Sequence, residues 1–100
     1  MKRKLTTIFA SDVVGFSKMM GFNELKTLQT LKERRRIIDN IIEKHDGIIF
    51  GSAGDSVIAE FSSPLKAVEA AVATQHSMKI MNQGKDEFEQ MNFRVGINIG

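Results

Sequence analysis

The sequence contains no cysteine, which excludes a disulfide framework, a structural cysteine zinc site and a thiol nucleophile. That absence is in keeping with a reducing, cytoplasmic setting. It also lacks a long hydrophobic run. The basic start Met1-Lys2-Arg3-Lys4 leads into an apolar stretch interrupted by Thr6, Thr7, Ser11 and Asp12, too short and too polar for a signal-peptide core or a membrane span. A basic first strand accounts for it. Charge of one sign is scarce, a formal +2, which does not by itself point to nucleic acid. No repeat, low-complexity tract or Pro/Gly/Ser-rich linker divides the chain, and 100 residues make one domain at most. A domain of this size buries only ~60–65% of its unfolded surface, so its stability margin is thin.

What is present changes periodicity cleanly from segment to segment. Leu5 to Ser11 is β-prone and predicts a first strand over roughly 5–12. Asn23 is a good N-cap with Glu24 in the first turn. Leu25, Leu28, Leu31, Ile38, Ile41 and Ile42 recur every three to four residues, predicting a helix over 24–45 stopped by Gly47 at C′. Two short apolar runs, 47–51 and 56–61, flank Ser52-Ala53-Gly54-Asp55. They read as a hairpin whose turn is not the commonest two-residue type. Ser63 caps a second helix, 64–82, with Pro64 at its first position and an apolar stripe of Val68, Ala71, Val72, Gln75, Met78 and Met81. A polar loop leads to a last strand over 93–99.

The order βαββαβ predicts an α+β, ferredoxin-like domain: an antiparallel sheet with two helices on one face. Strands one and three are then adjacent, antiparallel and central. The end of the first lies beside the start of the third, so Asp12 and Asp55, 43 positions apart, converge on one edge. An acid at either place taken alone is an ordinary turn residue. Together they form a pair of hard oxygen ligands whose mutual repulsion a divalent cation would relieve. Gly15 and Gly54 lie beside them and let backbone approach a phosphate. The N–H groups of Val14, Gly15 and Phe16 would face the β- and γ-phosphates. Both the turn role and the paired metal site stand open on spacing alone.

At this point the residues resemble a known family. Ile8-Phe-Ala-Ser-Asp-Val-Val-Gly-Phe-Ser17 is similar to the first metal motif of class III adenylate and guanylate cyclases, and 47–61 to their second. Residues 63–75 resemble the helix that follows, and 93–100 the next strand. The resemblance implies the N-terminal portion of one cyclase domain over residues 1–100, with the remainder beyond Gly100. It implies that Asp12, Asp55 and the Val13 backbone carbonyl hold two Mg²⁺ or Mn²⁺ ions, with Gly54 beside the triphosphate. ATP or GTP would become a 3′,5′-cyclic nucleotide and pyrophosphate, for intracellular signalling. The family's active site forms between two domains, implying a head-to-tail homodimer. Any effector domain would lie downstream, and this stretch alone would not turn over.

One departure matters. The family's base-reading lysine falls four positions before the second aspartate, where this chain has Gly51. Losing a charge-assisted hydrogen bond costs about 1.5–3 kcal/mol. That leaves a second reading, a catalytically degenerate cyclase-homology domain that binds nucleotide or dimerises. An RNA-binding ferredoxin-like domain would need a row of sheet-face aromatics, which the strands do not supply. Arg34-Arg35-Arg36 reads as a solvated helix face with at least one arginine snorkelling from the apolar side. His45 complements the helix dipole. Met19, Met20, Met78, Met81 and Met91 read as core or interface filler, and Arg94 as an exposed strand residue.

Overall fold

A computed structural model describes residues 6–99. The basic start at residues 1–4, Leu5 and Gly100 lie outside the described residues. The elements are β1 (Thr7–Val13), α1 (Phe16–Phe22), α2 (Glu24–Lys44), β2 (Ile48–Ala53), β3 (Ser56–Phe61), α3 (Pro64–Asn82) and β4 (Phe93–Ile99). The sheet order is β2-β3-β1-β4 with every neighbouring pair antiparallel. This is the expected ferredoxin-like arrangement, with β1 and β3 central. β1 extends one residue beyond the predicted 12.

Period-two alternation divides the sheet into two faces. Thr7, Phe9, Ser11 and Val13 of β1 are buried toward the helices, as are Val57, Ala59 and Phe61 of β3. They join Leu31, Ile38, Ile42, Ala67, Ala70, Met78, Met91 and Phe93 in one core. The opposite face carries Ile8, Ala10 and Asp12, and no helix covers it among the described residues.

The capping chemistry forms as the side chains dictate. The Asn23 carbonyl oxygen accepts the Lys26 N–H at 3.0 Å, and the Ser63 hydroxyl accepts that of Lys66 at 3.2 Å. Pro64 occupies the first position of α3, where a missing N–H costs nothing. His45 is the C-cap of α2, its Nδ1 2.7 Å from the Ile41 carbonyl.

Four expectations are corrected. α1 is an additional helix. At seven residues it is too short for apolar periodicity to register, and it starts at Gly15, whose φ of 68° opens the turn. The hairpin turn does have two residues, because Ala53 pairs directly with Ser56 around Gly54 and Asp55. Gly47 is not the left-handed residue ending α2; Asp46 is, at φ 65°. Asp46 and Gly47 close a Schellman motif on the carbonyls of Glu43 and Ile42. Gly47 is needed for space instead, since a Cβ there would meet the Phe61 ring at 2.5 Å. Finally, α3 buries Ala67, Ala70, Thr74 and Met78, leaving Val68 and Val72 exposed. Small residues let the helix approach the sheet closely, and that contact outweighs the bulk of the valines.

Asp46 also binds the Lys66 ammonium. That hydrogen bond, then the charge of Lys66, holds the Asp46 carboxyl below its usual range, and the same contact holds Lys66 above its own. A depressed carboxyl stabilises the fold above its unfolded pKa and loses that contribution as pH falls through the folded value. A raised amine stabilises below its unfolded pKa and loses that as pH rises through the folded value. The pair thus supports the fold between the carboxylate and amine ranges. Lys66→Met should lower the urea midpoint slightly near neutral pH and leave it unchanged below the carboxylate range. An equal shift at both would show that the pair contributes nothing.

Candidate functional site

β1 and β3 bring the two aspartates together as topology requires. The Asp55 carboxylate, in the hairpin turn, accepts the Val13 N–H at 2.9 Å. Val13 follows Asp12, so the turn of one hairpin is tied to the end of the central strand. The Val14 N–H donates to the Asn92 carbonyl at 2.9 Å, on the β4 side. Because the peptide is planar and trans, the Val13 carbonyl points away from Asn92 and β4. Asp12 and the Val13–Asp55 contact therefore lie at the same end of the sheet.

Asp12 lies on the open face, directly across from Arg94 of β4. The guanidinium holds both carboxylate oxygens, Nε to Oδ1 at 2.8 Å and Nη2 to Oδ2 at 3.2 Å. The Asp12 hydrogen bond, then the charges of Asp12 and Asp55, keep Arg94 above its ordinary value. Arg94 thus sets a positive charge against Asp12 on the open face. It is exposed, as expected, but its partner follows from cross-strand register, which the sequence pattern did not expose. Among the described residues no cluster of three or more His, Cys, Asp or Glu side chains occurs that would hold a metal by itself. Two carboxylates and a carbonyl leave positions for water and phosphate oxygens, the donor set that suits Mg²⁺.

The turn after β1 differs in one detail from expectation. The Val14 N–H is committed to Asn92, so it is not available to a phosphate. Gly15, with φ 68°, and Phe16 open α1, and helix-start N–H groups have no intrahelical acceptor. Beside this turn a cleft of about 840 Å³ separates α1 and the start of α2 from the loop before β4. Lys18, Lys26, Glu89 and the stacked rings of Phe22 and Phe88, 4.0 Å apart, line it.

Gly51 pairs with Ile58, Ile58 with Ala10 and Ala10 with Gly96. The row runs across the open face, the face that also carries Asp12 and Arg94. A Cβ at Gly51 would meet only Ile58, at 3.5 Å, so space does not explain the missing lysine. The arginine run is corrected at one position. Arg36 is exposed and Arg35 bonds Asp39 and Ser52, but Arg34 is fully buried rather than snorkelling.

The fold, and the placement of Asp12 beside the Val13–Asp55 contact, agree with the resemblance to class III nucleotide cyclases. No protein-family profile matches the chain. The Rhizobium meliloti (strain 1021) protein named "Putative adenylate cyclase 3" is 36% identical over 101 residues, covering 100% of this chain and 17% of that protein. The crystal structure of an adenylate/guanylate cyclase/hydrolase from Silicibacter pomeroyi superposes with a TM-score of 0.88 at 34% identity, covering 99% of this chain and 58% of that one. The adenylyl cyclase CyaB from P. aeruginosa gives 0.84 at 26%, covering 99% and 57%. By sequence and fold the chain is a class III adenylate/guanylate cyclase relative, and it spans a little over half of the solved domains it matches. Among the described residues no helix is long and apolar enough to cross a membrane.

Proposed function

We propose that the chain is the metal-carrying N-terminal portion of a nucleotide cyclase domain that converts ATP or GTP to a 3′,5′-cyclic nucleotide and pyrophosphate in the cytoplasm. The observation that carries this reading is the Val13–Asp55 hydrogen bond, which ties the residue after Asp12 to the hairpin turn that holds Asp55. These three groups would hold two Mg²⁺ or Mn²⁺ ions. Such ions activate a hydroxyl nucleophile and neutralise charge on a triphosphate. The chain's own contribution is positional. β1 and the hairpin fix the two carboxylates, Gly15 turns the backbone, and the N–H groups of Gly15 and Phe16 would orient the phosphates. The uncovered sheet face beside Asp12 suits a second copy in a head-to-tail dimer, which would complete the site.

Arg94 competes for the Asp12 oxygens. Arg94→Ala should therefore raise Mn²⁺ affinity about tenfold, the reverse of the loss expected when a supporting partner is removed. Titration calorimetry on the 100-residue chain reads this directly. Unchanged affinity would mean that guanidinium and metal do not compete.

Gly51 favours the second reading, a degenerate domain that binds without turnover. A cyclase assay on the full-length protein with Mn²⁺ and ATP or GTP separates the two. Cyclic product that disappears with Asp12→Ala supports the enzyme, whereas metal and nucleotide binding without product supports the degenerate domain.

A further inference from the structure

Arg34 is a buried cation that the site described above does not use. It is 1% exposed, in the middle of α2, and no carboxylate pairs with it among the described residues. Burial pulls its guanidinium below the ordinary arginine value. Its partners are neutral. Nη1 donates to the Met91 carbonyl at 3.0 Å and lies 3.7 Å from the Met78 sulfur, and Nη2 donates to the Asn82 Oδ1 at 2.7 Å.

Asn82 extends the contact. Its Oδ1 also accepts the Met91 N–H at 2.9 Å, and its Nδ2 donates to the Met91 carbonyl at 3.1 Å and to the Asn92 Oδ1 at 3.0 Å. The Asn92 carbonyl in turn accepts the Val14 N–H. An unbroken hydrogen-bonded path therefore runs from the middle of α2, through the last residue of α3 and the loop entering β4, to the turn between Asp12 and Gly15.

We infer that Arg34 is a positioning residue, acting through Asn82, Met91 and Asn92 to fix the β1–α1 turn against which phosphate and metal would be held; the role at the site rests on the functional reading above. A purely structural filler would not need the charge, since apolar residues of similar volume commonly replace buried ions without loss of stability. The forked guanidinium instead grips two acceptors at fixed angles, which a flexible ammonium does not reproduce. With the Val14 N–H held by Asn92 and the Val13 carbonyl consequently turned away from β4, the clamp sets which backbone atoms of the turn are free. Arg34→Met frees the loop before β4 while keeping the core filled. Arg34→Lys keeps the charge and loses the fork.

The test uses the 100-residue chain, with two readouts that do not depend on turnover. In Arg34→Met and Arg34→Lys, amide exchange at Val14 should accelerate about tenfold, the equivalent of one lost hydrogen bond, while Phe9 and Ala59 amides keep their protection. Calorimetry with Mn²⁺ and inorganic triphosphate should show about tenfold weaker triphosphate binding, with Mn²⁺ alone changed less than threefold because both aspartates hang on β1 and the hairpin. Val14 exchange unchanged in the folded variants, or accelerated only in step with Phe9 and Ala59, overturns the inference. If Arg34→Met does not fold, Asn82→Ala breaks the same path from the surface end and carries the same readouts. If wild type binds no triphosphate, the functional reading fails, and Val14 exchange still decides whether Arg34 holds the turn.

Discussion

Asp55→Ala and Asp55→Asn should both abolish Mn²⁺ binding, yet only the alanine variant should lose stability. In the proposed site the carboxylate does two jobs: it would supply an oxygen to the metal, and it accepts the Val13 N–H. An asparagine side chain keeps a carbonyl oxygen for that N–H but loses the charge that a hard cation requires. Alanine removes both and leaves a donor on a buried residue without its partner, costing about 1–2 kcal/mol. Loss of a direct ligand should weaken Mn²⁺ at least as much as the ~10–100-fold typical for outer partners. In the full-length protein cyclase activity should fall about a thousandfold, matching several kcal/mol of metal-derived stabilisation. Calorimetry, urea melts and the cyclase assay together read the three effects. Wild-type Mn²⁺ affinity in either variant would remove Asp55 from the site.

Gly47→Ala should be the most damaging conservative change elsewhere. An added methyl would lie 2.5 Å from the Phe61 ring and 2.7 Å from the Ile42 side chain. Neither can yield cheaply, since Phe61 is 1% exposed and Ile42 fully buried. Overpacking of this kind costs about 1–3 kcal/mol. For a domain of this length that corresponds to a melting temperature lower by roughly 5–20 °C. Gly21→Ala is the control: it lies within α1 with open space at its Cβ, and alanine is the better helix former by about 1 kcal/mol. Phe61→Leu should restore part of the loss in Gly47→Ala, since it removes the ring that clashes. Equal melting of Gly47→Ala and wild type would contradict the packing described.

The fold was readable where a side chain acts on its own neighbourhood. Asn23, Ser63 and Pro64 announce helix starts because their chemistry is local, and the order of strands and helices then places Asp12 beside Asp55. Reading failed where the decisive fact was a distant surface. Arg34 sits in a run of three arginines that looks solvated, and its acceptors come from residues 82 and 91. Val68 and Val72 look like core, but Ala67 and Ala70 win the contact because they are small. The grip of Arg94 on Asp12 depends on a register with β4 that the hydrophobic pattern leaves open. Gly47 was read as a conformational residue when its cause was the ring of Phe61.

The sheet order also governs how the protein comes to exist. β1 is first among the described strands yet lies between β3 and β4. Its hydrogen-bonding partners are therefore about 50 and 90 residues further along the chain. On a ribosome, Ile8-Phe9-Ala10 must wait unpaired while α1 and α2 can already form. Such non-local pairing is slow and leaves an apolar strand available to other chains. The same arrangement that brings Asp12 to Asp55 makes β1 the segment most in need of protection during synthesis.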